Sequence, residues 1–145
     1  MPGLSNDALT SGFITVRCSG SVHETIKRLM IALERRGMIV YAHIDHGKEA
    51  AAVDVTIRST HLFVVGYREA DAPLLAHNQL LGVELPLRIL VWEDAGGGAL
   101  LTYIDPAWLE GRFSMKEISS QLAAMAISLA GIAEETKMQS TEITA

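Results

Sequence analysis

The chain has 145 residues and a formal charge of −5 at pH 7, from 12 Lys+Arg against 17 Asp+Glu; 49% of it is hydrophobic and 20% charged. This excludes a disordered chain, whose signature is low hydrophobicity with high net charge, and a general phosphate-backbone binder, which needs clustered Lys and Arg. With the 12 glycines counted and the 3 tyrosines left out, the apolar share is about 55%, above the ~45–50% of ordinary domains.

Residues 1–11 are polar and turn-rich and are expected to form a loose N-terminal tail. Phe13 to Cys18 reads as a strand. Cys18 is the single cysteine, which excludes an internal disulfide and a multi-thiolate metal site. A small buried side chain is its ordinary reading, because a nucleophile would need a nearby base and a depressed pKa. Ser21-Val22-His23-Glu24 has the spacing of a capping box. Val22, Ile26, Leu29 and Leu33 then recur at helical spacing, with Lys27, Arg28, Glu34, Arg35 and Arg36 on the other face. Gly37 supplies a left-handed stop. Met38 to Ile44 has the β-branched content of a strand, Asp45-His46-Gly47 ends it, and Lys48 to Val53 suits one or two helical turns. Strand character returns at Val55 to Arg58 and more strongly from His61 to Tyr67.

Asp71-Ala72-Pro73 has the form of a cap followed by a first-turn proline, opening a helix to about Leu81 that Gly82 and Pro86 bound. Leu87 to Glu93 and Ala99 to Ile104 flank Asp94-Ala95-Gly96-Gly97-Gly98, the clearest hairpin signal in the chain. A strand follows those glycines, so they are a turn and not a phosphate cradle. Asp105-Pro106 opens a short turn or helix, and Ser114-Met115-Lys116-Glu117 spells a second capping box before a final helix to about Lys137. Residues 139–145 form a polar C-terminal tail. The order β-α-β-β-α-β-β-α, with clustered strands, predicts an α+β fold: one domain over residues 12–138, its largely antiparallel sheet packed against helices.

These segments, in order, resemble a known family. Ser21 to Leu29 with Leu33 to Gly37, Ile44-Asp45-His46, Ala50 to Val53, Arg58 to Gly66 and Pro73-Leu74-Leu75 are similar to the domain-of-unknown-function family 302 (DUF302), as are Leu85 to Asp94 and Tyr103-Ile104-Asp105-Pro106 through Arg112. The series covers about residues 13 to 137. The resemblance implies a compact α+β fold in proteins that tend to form dimers, and it implies no reaction. Where family members often follow the matched glycine with Asn-Pro, this chain has Tyr67-Arg68 after Gly66.

His43-Ile44-Asp45-His46 is the densest polar constellation. In a strand His43 and Asp45 face one way and His46 the other, so the three cannot share a metal unless the strand breaks at Asp45. His61 begins a neighbouring strand and can approach His43 or His46. No full metal-ligand set is expected. Asp45 orienting His46 as a general base is the catalytic reading; backbone hydrogen bonding at a strand end is the structural one. Tyr103 and Asp105 form a second constellation, in which Asp105 caps the following turn or both join His46 in one cleft. The ligand-binding candidates are therefore His46, Tyr103, Asp105, Asp45 and His61; the residues leave the cofactor open.

In the last helix Ile118, Leu122, Met125, Leu129 and Ile132 make one apolar row, and Ser119, Ala123, Ala126, Ala130 and Ala133 make a second row of small residues. One sheet covers one side of such a helix, so the small row is expected to pack against a second copy in a two-fold homodimer. Met1 to Ala8 carries no basic and apolar leader pattern. The longest nearly apolar run, Leu122 to Ala133, is 12 residues, against about 20 for a membrane span. These point to a cytoplasmic protein with neither membrane nor nucleic acid as partner. The reading is a homodimeric small-molecule-binding module; its alternatives are an acid–base enzyme using His46 on a small carbonyl or acyl substrate, and a structural protein-interaction module.

Overall fold

The computed structural model describes residues 12–138, so the two tails expected at 1–11 and 139–145 lie outside the described residues. Strand β1 (Phe13–Cys18) alternates, with Ile14, Val16 and Cys18 turned inward. Helix α1 (Val22–Arg35) starts as its sequence requires: Glu24 N–H donates to Ser21 Oγ at 3.1 Å and Ser21 N–H donates to the Glu24 carboxylate. Gly37 takes φ +68° after it. β2 (Ile39–Asp45) leads into α2 (His46–Ala51), where Asp45 accepts from Lys48 N–H.

β3 is Thr60–Gly66. The expected strand character at Val55 to Arg58 is absent: these residues are exposed, and pairing with the next strand begins only where Glu93 N–H donates to Ser59 C=O. α3 (Arg68–His77) starts three residues before the expected cap, and a short 3-10 turn (Gln79–Val83) follows it. Asp71 is thus not a cap. It sits one turn inside the helix on the buried side with Leu74, because Tyr67 C=O already accepts the first helical N–H groups.

β4 (Leu87–Glu93) and β5 (Ala99–Ile104) form the expected hairpin, with the Asp94 carboxylate accepting from Gly96 and Gly98 N–H. In α4 (Ala107–Phe113) Asp105 accepts from Ala107 N–H. The second capping box does not form: Ser114 closes α4 in the left-handed region at φ 53°, Met115 is buried, and α5 (Ser119–Lys137) begins after a 3-10 turn (Lys116–Ile118) with no side-chain cap.

The sheet runs β1-β5-β4-β3-β2, and every neighbouring pair is antiparallel. Phe63, Val65, Ile89, Val91, Leu101 and Tyr103 point to one face, where they meet Leu29 and Leu33 of α1 and Leu122, Leu129 and Ile132 of α5. The fold is α+β with helices over one face of an antiparallel sheet. Arg28 ties the two main helices across the chain, donating to Thr136 C=O at 2.7 Å and to Ser19 C=O.

Candidate functional site

The β2 edge gathers four titratable side chains. Alternation puts His43 and Asp45 on the same side of β2, and the register sets them opposite Phe63 and His61 of β3. The His43 ring stacks on Phe63, centroids 4.2 Å apart. His43 Nε2 lies 2.9 Å from His61 Nδ1, and His61 Nε2 lies 3.2 Å from Ser59 Oγ. Two tautomer sets satisfy both contacts: His43 Nε2–H donates to His61 Nδ1 and His61 Nε2–H to Ser59 Oγ, or His61 Nδ1–H donates to His43 Nε2 and Ser59 Oγ–H to His61 Nε2, the set in which His61 Nε2 is the basic nitrogen. Burial pushes the His61 imidazole below its ordinary range; Asp45 opposes this while His43 and His46 reinforce it. The shift favours the neutral imidazole.

Asp45 Oδ1 accepts from Lys48 N–H at 3.0 Å, and that bond holds its carboxyl below the usual range. No hydrogen bond joins Asp45 to His46, which opens α2. Asp45 therefore faces His61 and caps a helix; it does not orient His46. Among the described residues no three ligating side chains come together to hold a metal.

Tyr103 and Asp105 lie elsewhere. Tyr103 is buried on β5, in a cross-sheet row with Ile14, Ile89, Phe63 and His43. Three strand spacings, about 14 Å, separate it from His43. Burial raises its phenol, and Asp105 adds to that. Asp105 continues away from the Asp45 end of the sheet and caps α4. The structure brings Asp45, His46 and His61 to one edge and does not bring Tyr103 or Asp105 to them.

A cavity of about 250 Å³ opens between α3 and α5. Tyr67, Ala70, Pro73, Ala124 and Met125 wall it, and Glu69, Gln121 and Ser128 are its polar groups. Larger depressions beside α4 are bordered by charged groups such as Glu110, Lys116 and Glu117. Sequence reasoning missed the α3–α5 cavity. Of its α5 lining, Met125 belongs to the apolar row read from the sequence, and Gln121, Ala124 and Ser128 belong to neither row, so the periodicity carried no signal for it. On the inner side of α3, Asp71 is only 6% exposed, its Oδ1 has no hydrogen-bond partner, and burial pushes its carboxyl up to about 6. The spacing Asp71, Leu74, Asn78 on one helical face is the pattern that marks it as inward.

Comparison with known proteins gives a consistent fold. The profile of the family described as "Domain of unknown function DUF302" matches residues 14–135. The chain is similar to a crystal structure of an uncharacterized conserved DUF302 protein from Bacillus stearothermophilus, with a TM-score of 0.81 and 21% identity over 87% of this chain and 98% of that one. It is also 36% identical over 119 residues to proteins named fluoride-specific ion channel FluC 1 of Brucella suis biovar 1 and FluC 2 of Brucella melitensis biotype 1. That match covers 82% of this chain but only 46% and 44% of those relatives, so the chain spans less than half their length.

Proposed function

This chain belongs to the DUF302 family, and from that premise we propose that it is a small-molecule-binding module that works as a homodimer in the cytoplasm. The observation that carries the binding role is the cavity between α3 and α5, apolar on its walls with a few polar groups at hand. At about 250 Å³ it lies just under the roughly 300–1,000 Å³ of sites for drug-sized ligands, so its ligand is smaller and mainly apolar. Glu69, Gln121 and Ser128 would orient the polar end of that ligand. Titration with 1-anilinonaphthalene-8-sulfonate tests this reading. Saturable fluorescence enhancement is expected in the wild type and in Met30→Ser, a substitution on α1, and is expected to be lost in Ala124→Trp, whose indole fills the cavity. Enhancement that survives Ala124→Trp unchanged would overturn it.

The fluoride conduction named for the Brucella relatives is read as belonging to the part of them that this chain does not match. Ion conduction needs a membrane-spanning path, and no helix among the described residues is long and apolar enough to cross a membrane.

The His43–His61 contact favours a second reading, acid–base chemistry on a small carbonyl or acyl substrate, with His61 as the base in place of His46. It predicts that turnover of p-nitrophenyl acetate falls at least tenfold in His61→Ala; an unchanged rate would remove it.

A further inference from the structure

We infer that the sheet face opposite the helices is the surface on which a second copy of this chain docks. This rests on the homodimer reading above and moves its interface from α5 to the sheet. Strand alternation gives β1, β5, β4 and β3 two sides, and the side away from α1 and α5 carries Phe13, Leu62, Leu90, Trp92, Leu100 and Ile104. The helix-facing Phe63, Ile89, Val91 and Leu101 are sealed, whereas Phe13 is 48% exposed and Leu62, Leu90, Trp92 and Ile104 are half-buried. A shallow apolar groove of about 190 Å³ runs over Leu62, Leu90 and Ile104.

The polar groups of this face are already paired within the chain. Trp92 Nε1–H donates to Thr102 Oγ1 at 2.9 Å, Thr15 and Thr102 hydroxyls bond at 2.8 Å, and Arg17 and Arg88 pair with Asp94 and Glu84. Covering the face therefore strands neither the Trp92 indole N–H nor the Thr15 and Thr102 hydroxyls, and the partner must meet apolar surface together with two ion-paired guanidiniums.

Size points to a second copy. Five strands about 4.8 Å apart and six or seven residues long make a flat footprint of roughly 450 Å², and the relief of the side chains raises the accessible area towards the ~800 Å² per partner of a standard interface. A short peptide would leave most of that bare. β4 is the middle strand of the five and Leu90 the middle of its outward residues, so a two-fold axis beside Leu90 would lay the whole face of one copy over that of the other. Two such faces stack about 10 Å apart, as in sheet-on-sheet packing.

Sedimentation equilibrium over a wide concentration range, with far-UV circular dichroism as the folding check, tests the inference. The wild type is expected at twice the chain mass, Leu90→Glu and Leu62→Lys at the monomer mass, and Ala126→Glu on α5 at the dimer mass. If Ala126→Glu is monomeric while the sheet variants stay dimeric, the dimer stands but its interface is α5, and the inference is overturned. A wild type that is monomeric throughout ends the homodimer reading and the inference together. Should the sheet variants unfold, Trp92 emission in a Trp108→Phe chain replaces them: a red shift on dilution supports the sheet interface, and a dimer that dissociates with no shift overturns it.

Discussion

Asp71 carries the one buried carboxyl among the described residues. Its carboxyl ionises near the usual 3.9 in the unfolded chain and at about 6 in the folded one, because burial disfavours the charged form. Between those values the folded state holds the extra proton, so stability falls as pH rises from about 4 to about 6 and levels off above. The loss is of the order of 2–3 kcal/mol, and urea unfolding across that range should show it in the wild type but not in Asp71→Asn. Parallel curves for the two proteins would contradict the placement. Gly66 belongs to the same spot, since a Cβ there would strike the Asp71 carboxylate. Gly66→Ala is expected to cost about 1–3 kcal/mol, and much less when combined with Asp71→Ala, a coupling that a double-mutant cycle measures.

At the scale of elements, two identical-looking signals had different fates. Ser21 and Ser114 each stand three residues before a glutamate. Ser21 caps α1, and Ser21→Ala should lower stability by about 1 kcal/mol in thermal or urea unfolding. Ser114 instead ends α4 in the left-handed region, where a Cβ costs roughly 1–2 kcal/mol. Ser114→Gly should therefore stabilise by up to about 1 kcal/mol, after allowance for the extra freedom glycine gives the unfolded chain; a loss of stability would point back to a capping role. Local spacing could not separate the two cases, because Met115 is drawn into the core and that rotates the chain at Ser114 out of a cap conformation. Asp71 was misread for a related reason: the Asp-x-Pro pattern is a local cap signal, and the burial of α3 overrode it.

At the scale of the molecule, Arg28 closes the domain, its guanidinium bonded to carbonyls of Thr136 and Ser19. Arg28→Met keeps the aliphatic stem but leaves those acceptors unpaired, and should cost about 1–3 kcal/mol with faster amide exchange in the last turn of α5. The five strands, the amphipathic α1, the β4–β5 hairpin and the long final helix were legible in the sequence, because periodicity, turn glycines and the Ser21 cap are local and agree with the global packing. The apolar excess of the composition is likewise accounted for, by one sealed sheet face and by a second face left half open. Tertiary structure alone decided which polar residues meet. Of the two partners open to His61 in the sequence, His43 is the one it touches, 18 residues away, while Tyr103 and Asp105 lie across the sheet from His46. Strand order and register set those distances, and both follow from long-range pairing that no local pattern encodes.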